Sequence, residues 1–325
     1  MMNFNNKTIL ITGGTGSLGK ALIKRLKQYD CTIIVYSRDE GKQALLFGND
    51  PSIIRVIGDI RDFDKLNITL KRYTPDYIIH TAALKRIDDM EFHPDECVKT
   101  NINGSENVAR AALENNIQKC ILVSTDKACQ PVNVYGSSKF IAERIFTNYD
   151  YQSKSTIFAS VRYGNVIASR GSFIPLWIDM INDDQVLKVT SESMTRFLFT
   201  LDDAVDAVLG ALKHSNGGEV FVPQINSYTL PTCIKALGEM LNKEPKTEDM
   251  GLRPGEKLHE DMLAKTELDF TYQVPNINLL QIRPQYTNKK YQDFEKYNGP
   301  EFNSELWVKE DTSELIELIK KGLKC

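Results

Sequence analysis

The sequence predicts an α/β fold: a doubly wound parallel sheet followed by a smaller, C-terminal mixed α/β region. Three observations predict it. Short apolar runs rich in β-branched residues recur at 8–11, 32–36, 53–57, 77–80 and 120–123, with helical patterns between them. Gly13, Gly16 and Gly19 stand between the first run and the first helical pattern, as in a Rossmann-type turn. The polar stretches 13–19, 37–42, 81–85 and 124–127 all follow such runs. They therefore fall at the carboxyl ends of strands, where sheets of this kind bind ligands.

Each element follows in order. Residues 8–11 form a strand, and the glycines after it let backbone approach a pyrophosphate. The helix from about residue 20 then offers amide donors at its N-terminus. Gly13, Thr15, Gly16, Ser17, Leu18 and Gly19 are the candidate phosphate cradle. The second strand, 32–36, ends in Ser37-Arg38-Asp39-Glu40-Gly41-Lys42. Arg38, Lys42 and Ser37 suit a 2′-phosphate, which favours NADP. Asp39 and Glu40 keep NAD open, as ribose ligands, or serve as first-turn acids of the next helix. The third strand, 53–57, leads to Asp59 and Ile60, placed for an adenine edge, with a helix cap as the alternative for this segment. The fourth, 77–80, runs into Thr81, Ala82 and Ala83, small residues that let a cofactor lie close, and then Lys85. One helix is expected over 94–115.

The fifth strand ends in Ser124-Thr125-Asp126-Lys127-Ala128, and Tyr135-Gly136-Ser137-Ser138-Lys139 opens the next helix. Tyr135 and Lys139 are four apart and share a helix face. An ammonium near a phenol lowers the phenol's pKa, so Tyr135 can take a proton from an alcohol. A surface pair is the ordinary reading of that spacing; the dinucleotide turn upstream argues against it. A sixth strand is expected over 156–163. The polar loop 164–172 is a candidate lid, and 251–257 is a basic turn suited to a pyrophosphate, with a plain surface turn as the equal alternative. Residues 1–165 read as the dinucleotide-binding domain carrying Tyr135 and Lys139. Residues 166–325 read mainly as a substrate region that can return elements to the first. In the tail from 275 to 325 no chemistry is legible.

Composition excludes other classes. The 325 residues carry a net charge of −3, which gives no footing for nucleic acid or an anionic membrane surface. No apolar run approaches the roughly 18 residues of a membrane span. Residues 1–7 lack the apolar core of a signal peptide. The six cysteines, Cys31, Cys97, Cys120, Cys129, Cys233 and Cys325, show no C-x-x-C spacing and read as free thiols in a reducing cytoplasm. The four histidines form no metal-ligand pair at helical spacing, so no metal is expected.

Taken together, these residues resemble the extended short-chain dehydrogenase/reductase superfamily. Within it the chain is similar to the inverting UDP-N-acetylglucosamine 4,6-dehydratases of pseudaminic acid biosynthesis. The likeness runs from Lys7 to about Glu260. It rests on Gly58-Asp59-Ile60-Arg61-Asp62, Lys99-Thr100-Asn101-Ile102-Asn103-Gly104, Arg162-Tyr163-Gly164-Asn165-Val166, Met194-Thr195-Arg196-Phe197 and the segment from Arg253 to Glu260. The triplet Thr125-Asp126-Lys127 is its specific part. Two departures stand out: Ala168 where the family commonly has glycine, and Arg86-Ile87-Asp88-Asp89-Met90 after Lys85.

The resemblance implies an internal redox cycle on a UDP-sugar, with NADP taking hydride from C4 and returning it to C6. It implies Tyr135 as the C4 base, with Lys139 depressing its pKa and holding the ribose. Lys127 is then the C5 base, Asp126 the acid for the C6 hydroxyl, and Thr125 a hydrogen-bonding partner near the C4 oxygen. Lys127 is expected to have a lowered pKa, through burial and the nearness of Lys139. Val166 is assigned to the cofactor, and Lys85 to cofactor and sugar. Asn165, Ser169, Arg170, Thr190, Arg196, Arg253 and Glu256 are assigned to the substrate. A homo-oligomer, dimer to hexamer, is also implied. The rival readings are a retaining dehydratase, a nucleotide-sugar 4-epimerase or 4-ketoreductase on the same scaffold, and a non-catalytic NADP-bound scaffold.

Overall fold

The structure, a computed structural model, describes residues 3–287 and 289–324. Met1, Met2 and Cys325, which figure in the reading of the N-terminus and the thiols, lie outside the described residues. The chain opens with β1 (Thr8–Thr12), α1 (Ser17–Leu26), β2 (Thr32–Ser37), α2 (Glu40–Phe47), β3 (Ile53–Ile57), α3 (Phe63–Tyr73) and β4 (Tyr77–His80). Local chemistry sets the helix starts. Asp39 caps α2 by accepting from the Lys42 amide, and Asp62 caps α3 by accepting from the Lys65 amide. Asp39 and Glu40 thus stand at the head of a helix.

The expected helix over 94–115 is corrected. After α4 (Ile87–Phe92) come α5 (Pro94–Cys97), a π-helical turn (Val98–Asn103) and α6 (Gly104–Glu114). Within that turn the Asn101 side chain accepts from the Leu84 amide at 2.8 Å and donates to the Leu84 carbonyl at 2.9 Å. The widened turn carries Asn101 to the loop after β4, a contact that helical spacing alone does not reveal. β5 (Lys119–Val123) passes through a single 3-10 turn (Asp126–Ala128) into α7 (Val134–Gln152) and β6 (Ile157–Val161).

The second half contains β7 (Asn165–Val166), α8 (Phe173–Asn182), β8 (Leu187–Val189), β9 (Thr195–Phe199), α9 (Leu201–His214), β10 (Val220–Pro223) and β11 (Ser227–Thr229). It continues with α10 (Leu230–Leu241), β12 (Thr247–Asp249), β13 (Asp261–Leu263), β14 (Thr271–Gln273), β15 (Leu279–Ile282), β16 (Phe302–Asn303) and α11 (Thr312–Leu323). The main sheet has nine strands in the order β14-β15-β10-β6-β5-β4-β1-β2-β3. From β3 to β10 neighbours run parallel, while β15 lies antiparallel to β10 and β14 to β15.

Alternation along β1 shows why both faces are covered. Ile9 and Ile11 pack with α1 and α9, and Leu10 packs with α3, α6 and α7. The second half of the chain therefore divides. α9, β10, β14 and β15 join the large sheet, while α8, α10 and α11 build a separate core with Trp177, Tyr228 and Leu315. The strand order reverses direction between β1 and β4, and the crevice at that point is where such sheets take a dinucleotide.

Candidate active site

The glycine turn leaves no space for side chains. Gly13 has φ +68°, and a Cβ there would stand 2.8 Å from the Ala82 Cα. Ala82, in the small-residue loop after β4, therefore lies against the turn. Thr81 Oγ1 donates to the Thr12 carbonyl at 2.7 Å and holds that loop in place. Gly16 caps α1 without a side-chain hydrogen bond. Leu18 is buried in the core and Ser17 Oγ accepts from the Arg170 amide at 3.1 Å. The loop after β7 thus reaches back over the glycine turn. It does so through Ala168, which adopts φ +61°, a left-handed conformation that glycine adopts at less cost.

At the end of β2 the candidate 2′-phosphate ligands are placed differently from one another. Ser37 is buried, and its Oγ and carbonyl oxygen accept from Gln43 Nε2. The Lys42 ammonium pairs with Asp39. Arg38 extends outward, with its guanidinium 3.6 Å from Asp59. The Asp59 carboxylate accepts from the amide, Nε and Nη2 of Arg61. Ile60 is a core residue.

The chemical centre forms where β5 ends against the start of α7. Thr125 Oγ1 donates to Asp126 Oδ1 at 2.8 Å, and the Thr125 side chain also acts on the Tyr135 phenol. Lys127 Nζ lies 3.1 Å from Asp126 Oδ1 and 3.2 Å from Glu260 Oε1. The second oxygens, Asp126 Oδ2 and Glu260 Oε2, are buried and have no hydrogen-bond partner among the described residues. Gly136 lets α7 approach: a Cβ there would sit 2.2 Å from the Lys127 carbonyl oxygen. Asn133 caps α7 through the Gly136 amide at 2.6 Å, and its Nδ2 donates to the Gly255 carbonyl at 2.7 Å. One side chain thereby ties α7 to the basic turn 251–257.

The electrostatics correct the expectation for Lys127. Burial works to lower its pKa, but the Asp126 and Glu260 carboxylates outweigh burial and hold the ammonium well above its ordinary value. Lys127 is thus a cation in an ion pair in this structure. Burial pushes the Tyr135 phenol up to about 12; the Lys127 charge and the Thr125 hydrogen bond act against it. The largest favourable charge at Tyr135 is therefore Lys127, where Lys139 was expected. Lys139 is buried, and burial pulls it down to about 8 although Glu143 and Cys97 act to raise it. Its helix is anchored from below. Glu143 Oε1 accepts from Ser124 Oγ at 2.6 Å, and Arg162, fully buried, bonds both Glu143 and Glu267.

The expected substrate residues come from scattered elements. Asn165, on β7, has a buried Oδ1 without a hydrogen-bond partner among the described residues. Ser169 and exposed Arg170 lie in the loop, and Lys85 is exposed within electrostatic reach of Arg170. Thr190 is buried and donates to the Met194 sulfur at 3.1 Å. Arg196, buried on β9, donates to the Thr195 and Leu258 carbonyls. Arg253 bonds Glu256 at 2.5 Å and lies 3.3 Å from Asp88, so the divergent segment 86–90 reaches the basic turn. Val166 is half-buried against the main core, and Ala83 follows Ala82 in the loop after β4.

Residues 9–281 match the family described as polysaccharide biosynthesis protein. The chain belongs to that family. Among its relatives, a Campylobacter jejuni protein named UDP-N-acetylglucosamine 4,6-dehydratase (inverting) is 39% identical over 338 residues, covering 97% of this chain and 98% of that one. A Rickettsia bellii protein named UDP-glucose 4-epimerase is 42% identical over 275 residues, covering 82% of this chain and 80% of its own. The crystal structure of Pen from Bacillus thuringiensis superposes with a TM-score of 0.91 at 34% identity, over 100% of both chains. The extended short-chain dehydrogenase/reductase resemblance is thus that of a polysaccharide biosynthesis family member, and its Rossmann-like sheet is the fold observed.

Sequence reasoning passed over Glu260 and Asn133 as site residues. Glu260 closes the quoted segment that begins at Arg253, yet no spacing rule links position 260 to position 127. Asn133 carries an ordinary N-cap signal, three residues before Gly136. The tail, where no chemistry was legible, supplies Ser304: its Oγ accepts from the Glu260 amide and its amide donates to the Glu260 carbonyl, each at 2.8 Å.

Proposed function

We propose that this family member is a UDP-N-acetylglucosamine 4,6-dehydratase that inverts C5, giving UDP-2-acetamido-2,6-dideoxy-β-L-arabino-hexos-4-ulose. The observation that carries the reading is the Thr125-Asp126-Lys127 turn closed onto Tyr135, with two buried carboxylate oxygens facing no partner among the described residues. Such oxygens are costly to bury unless a ligand meets them. The residues at the strand ends fit a nicotinamide dinucleotide, because the turn at Gly13 admits no side chain and α1 begins without a capping side chain. Gly13, Thr15, Gly16, Ser17, Leu18 and Gly19 would hold its pyrophosphate, and Lys139 its ribose. That group, when bound, accepts a hydride from sugar C4 and gives it back at C6. The exposed Arg38 supports NADP as its form.

The chain's own residues then move protons. Tyr135 accepts the proton of the C4 hydroxyl; the positive charge of Lys127 favours this. Elimination needs an amine at Lys127 and an acid at Asp126. Passage of one proton across the 3.1 Å between them converts the ion pair into that neutral pair without changing the net charge. Lys127 then takes the C5 proton, while Asp126 gives its proton to the departing C6 oxygen and water leaves. The same step restores the ion pair, and once C6 has its hydride C5 takes a proton on the face opposite to the removal, which gives the inverted centre. Arg253, in the basic turn, supplies a cationic partner for the nucleotide pyrophosphate, and Arg196 stays assigned to the substrate. The reading also carries residues 1–165 as the dinucleotide-binding part and 166–325 as mainly the substrate region. Exposed Phe92, Phe140 and Ile141 support a homo-oligomer, and the five free cysteines among the described residues support a reducing cytoplasm.

The 42% identity to a relative named an epimerase favours a second reading, a 4-epimerase. One experiment separates the two. The purified protein is incubated with UDP-N-acetylglucosamine bearing deuterium at C4. The dehydratase yields a 4-keto product with the label at C6, and no reduced cofactor accumulates. A C4 epimer that still carries its C6 hydroxyl would establish the epimerase instead. Parallel incubation with UDP-glucose tests the sugar.

A further inference from the structure

We infer that Glu260 is a positioning residue of the elimination step, one that holds the Lys127 amine against Asp126 and sets the pH at which it gives up its proton. The inference rests on the dehydratase reading above. Glu260 is 2% exposed, and its Oε1 lies 3.2 Å from Lys127 Nζ. It arrives from a part of the chain far from β5, immediately before β13. Its position is fixed through the main chain. Ser304 bonds both its amide and its carbonyl, and Thr195 Oγ1 lies 2.6 Å from Ser304 Oγ. A carboxylate anchored at both backbone groups, with one oxygen on the ammonium and the other unpartnered among the described residues, is built to act on what it faces.

The charges around Lys127 give the sign. Asp126 faces it from its own turn, Glu260 from the approach to β13, Arg196 from β9 and Tyr135 from α7. Nearby, the Lys257–Asp261 pair is self-neutralising at 3.2 Å, and Lys257 also donates to the Cys129 carbonyl. Lys127, Arg196, Asp126 and Glu260 therefore form a buried set of two cations and two anions. Removing the Glu260 charge leaves that set with an excess positive charge, so Lys127 releases its proton more readily. The form that eliminates has an amine at Lys127 and a protonated Asp126. Loss of the whole proton from this pair at high pH ends elimination, because no acid remains for the C6 oxygen. The alkaline limb of the C5 step thus reports the proton affinity that Glu260 sets.

The test measures release of deuterium from C5-labelled UDP-N-acetylglucosamine into solvent, in single turnovers of the cofactor-loaded protein, across pH. In Glu260→Gln the alkaline limb is expected to move down by about 1–2 pH units, in line with the loss of one close opposite charge. Glu260→Asp keeps the charge but withdraws it by one methylene, so its limb should lie between wild type and Gln. This variant preserves the test if the amide fails to fold. A merely structural role lowers the rate at every pH and leaves the limb in place; that result in both variants overturns the inference. Failure of the underlying reading looks different: wild-type protein would then release no C5 deuterium at any pH.

Discussion

Substituting Gly136 by alanine tests whether the site depends on α7 lying directly against the Lys127 turn. A Cβ at Gly136 would stand 2.2 Å from the Lys127 carbonyl oxygen, 3.1 Å from its carbonyl carbon and 3.2 Å from Asn133 Oδ1. The nearest atoms are backbone on one side and the capping side chain of the same helix on the other, so no flexible group can yield. Relief requires the helix start to move outward by roughly 1 Å, given ordinary contact distances. Overpacking of this kind costs about 1–3 kcal/mol, and removing a helical glycine returns about 0.5–1 kcal/mol. The net loss of stability is therefore modest, roughly 1–2 kcal/mol, and the protein should still fold. Activity suffers more. Tyr135 is the neighbouring residue, and its phenol faces Thr125 and Lys127 across the displaced contact. A misplacement of about 1 Å in a reacting group costs ~10²-fold in rate. Initial rates of 4-keto sugar formation at saturating substrate, with thermal unfolding as the control, read both effects. A variant within threefold of wild-type rate would refute the claim that this contact sets the geometry of Tyr135 and Lys127.

Other outcomes follow from the same structure. Arg38→Ala should weaken NADP binding more than NAD binding, with the difference fading at high salt, and titration of both cofactors checks it; equal losses would remove the 2′-phosphate assignment. Tyr135→Phe should block hydride loss from C4, whereas Lys127→Ala should stop C5 exchange and water loss by ~10²–10⁴-fold while C4 oxidation continues at a reduced rate, because Tyr135 loses its largest favourable charge. Stopped-flow formation of reduced cofactor separates the two, and identical defects would show that one residue does not act apart from the other. Burial raises Glu219 to about 7, although the amides of Asn216 and Gly217 act to lower it. The native state then keeps its proton between about 4.5 and 7 while the unfolded chain has lost it, so this group's contribution falls as pH rises through that window. Chemical denaturation of Glu219→Gln against wild type should show the difference changing by about 3 kcal/mol across the window, and a constant difference would overturn the assignment.

The sequence by itself determined the six parallel strands from β1 to β6 and their ends. Apolar runs, glycines and helix caps are local signals, so Ile53–Ile57 and Tyr77–His80 were legible to the residue. Tyr135 and Lys139 were legible for the same reason, being one helical turn apart, and the Thr125-Asp126-Lys127 triplet is contiguous. The tertiary structure decided what surrounds those residues. Lys127 read alone is a desolvated base awaiting a lowered pKa; Glu260, 133 residues further on, turns it into a paired cation. The π-helical turn at Val98–Asn103 arises because Asn101 bonds Leu84, a partner outside any helical period. Ser304 holds Glu260 through backbone groups, and a backbone partner leaves no trace in side-chain pattern. Periodicity and spacing report interactions between residues close in the chain. The protonation state of a buried group depends on every charge within a few ångströms, and folding draws those charges from three separate strand approaches.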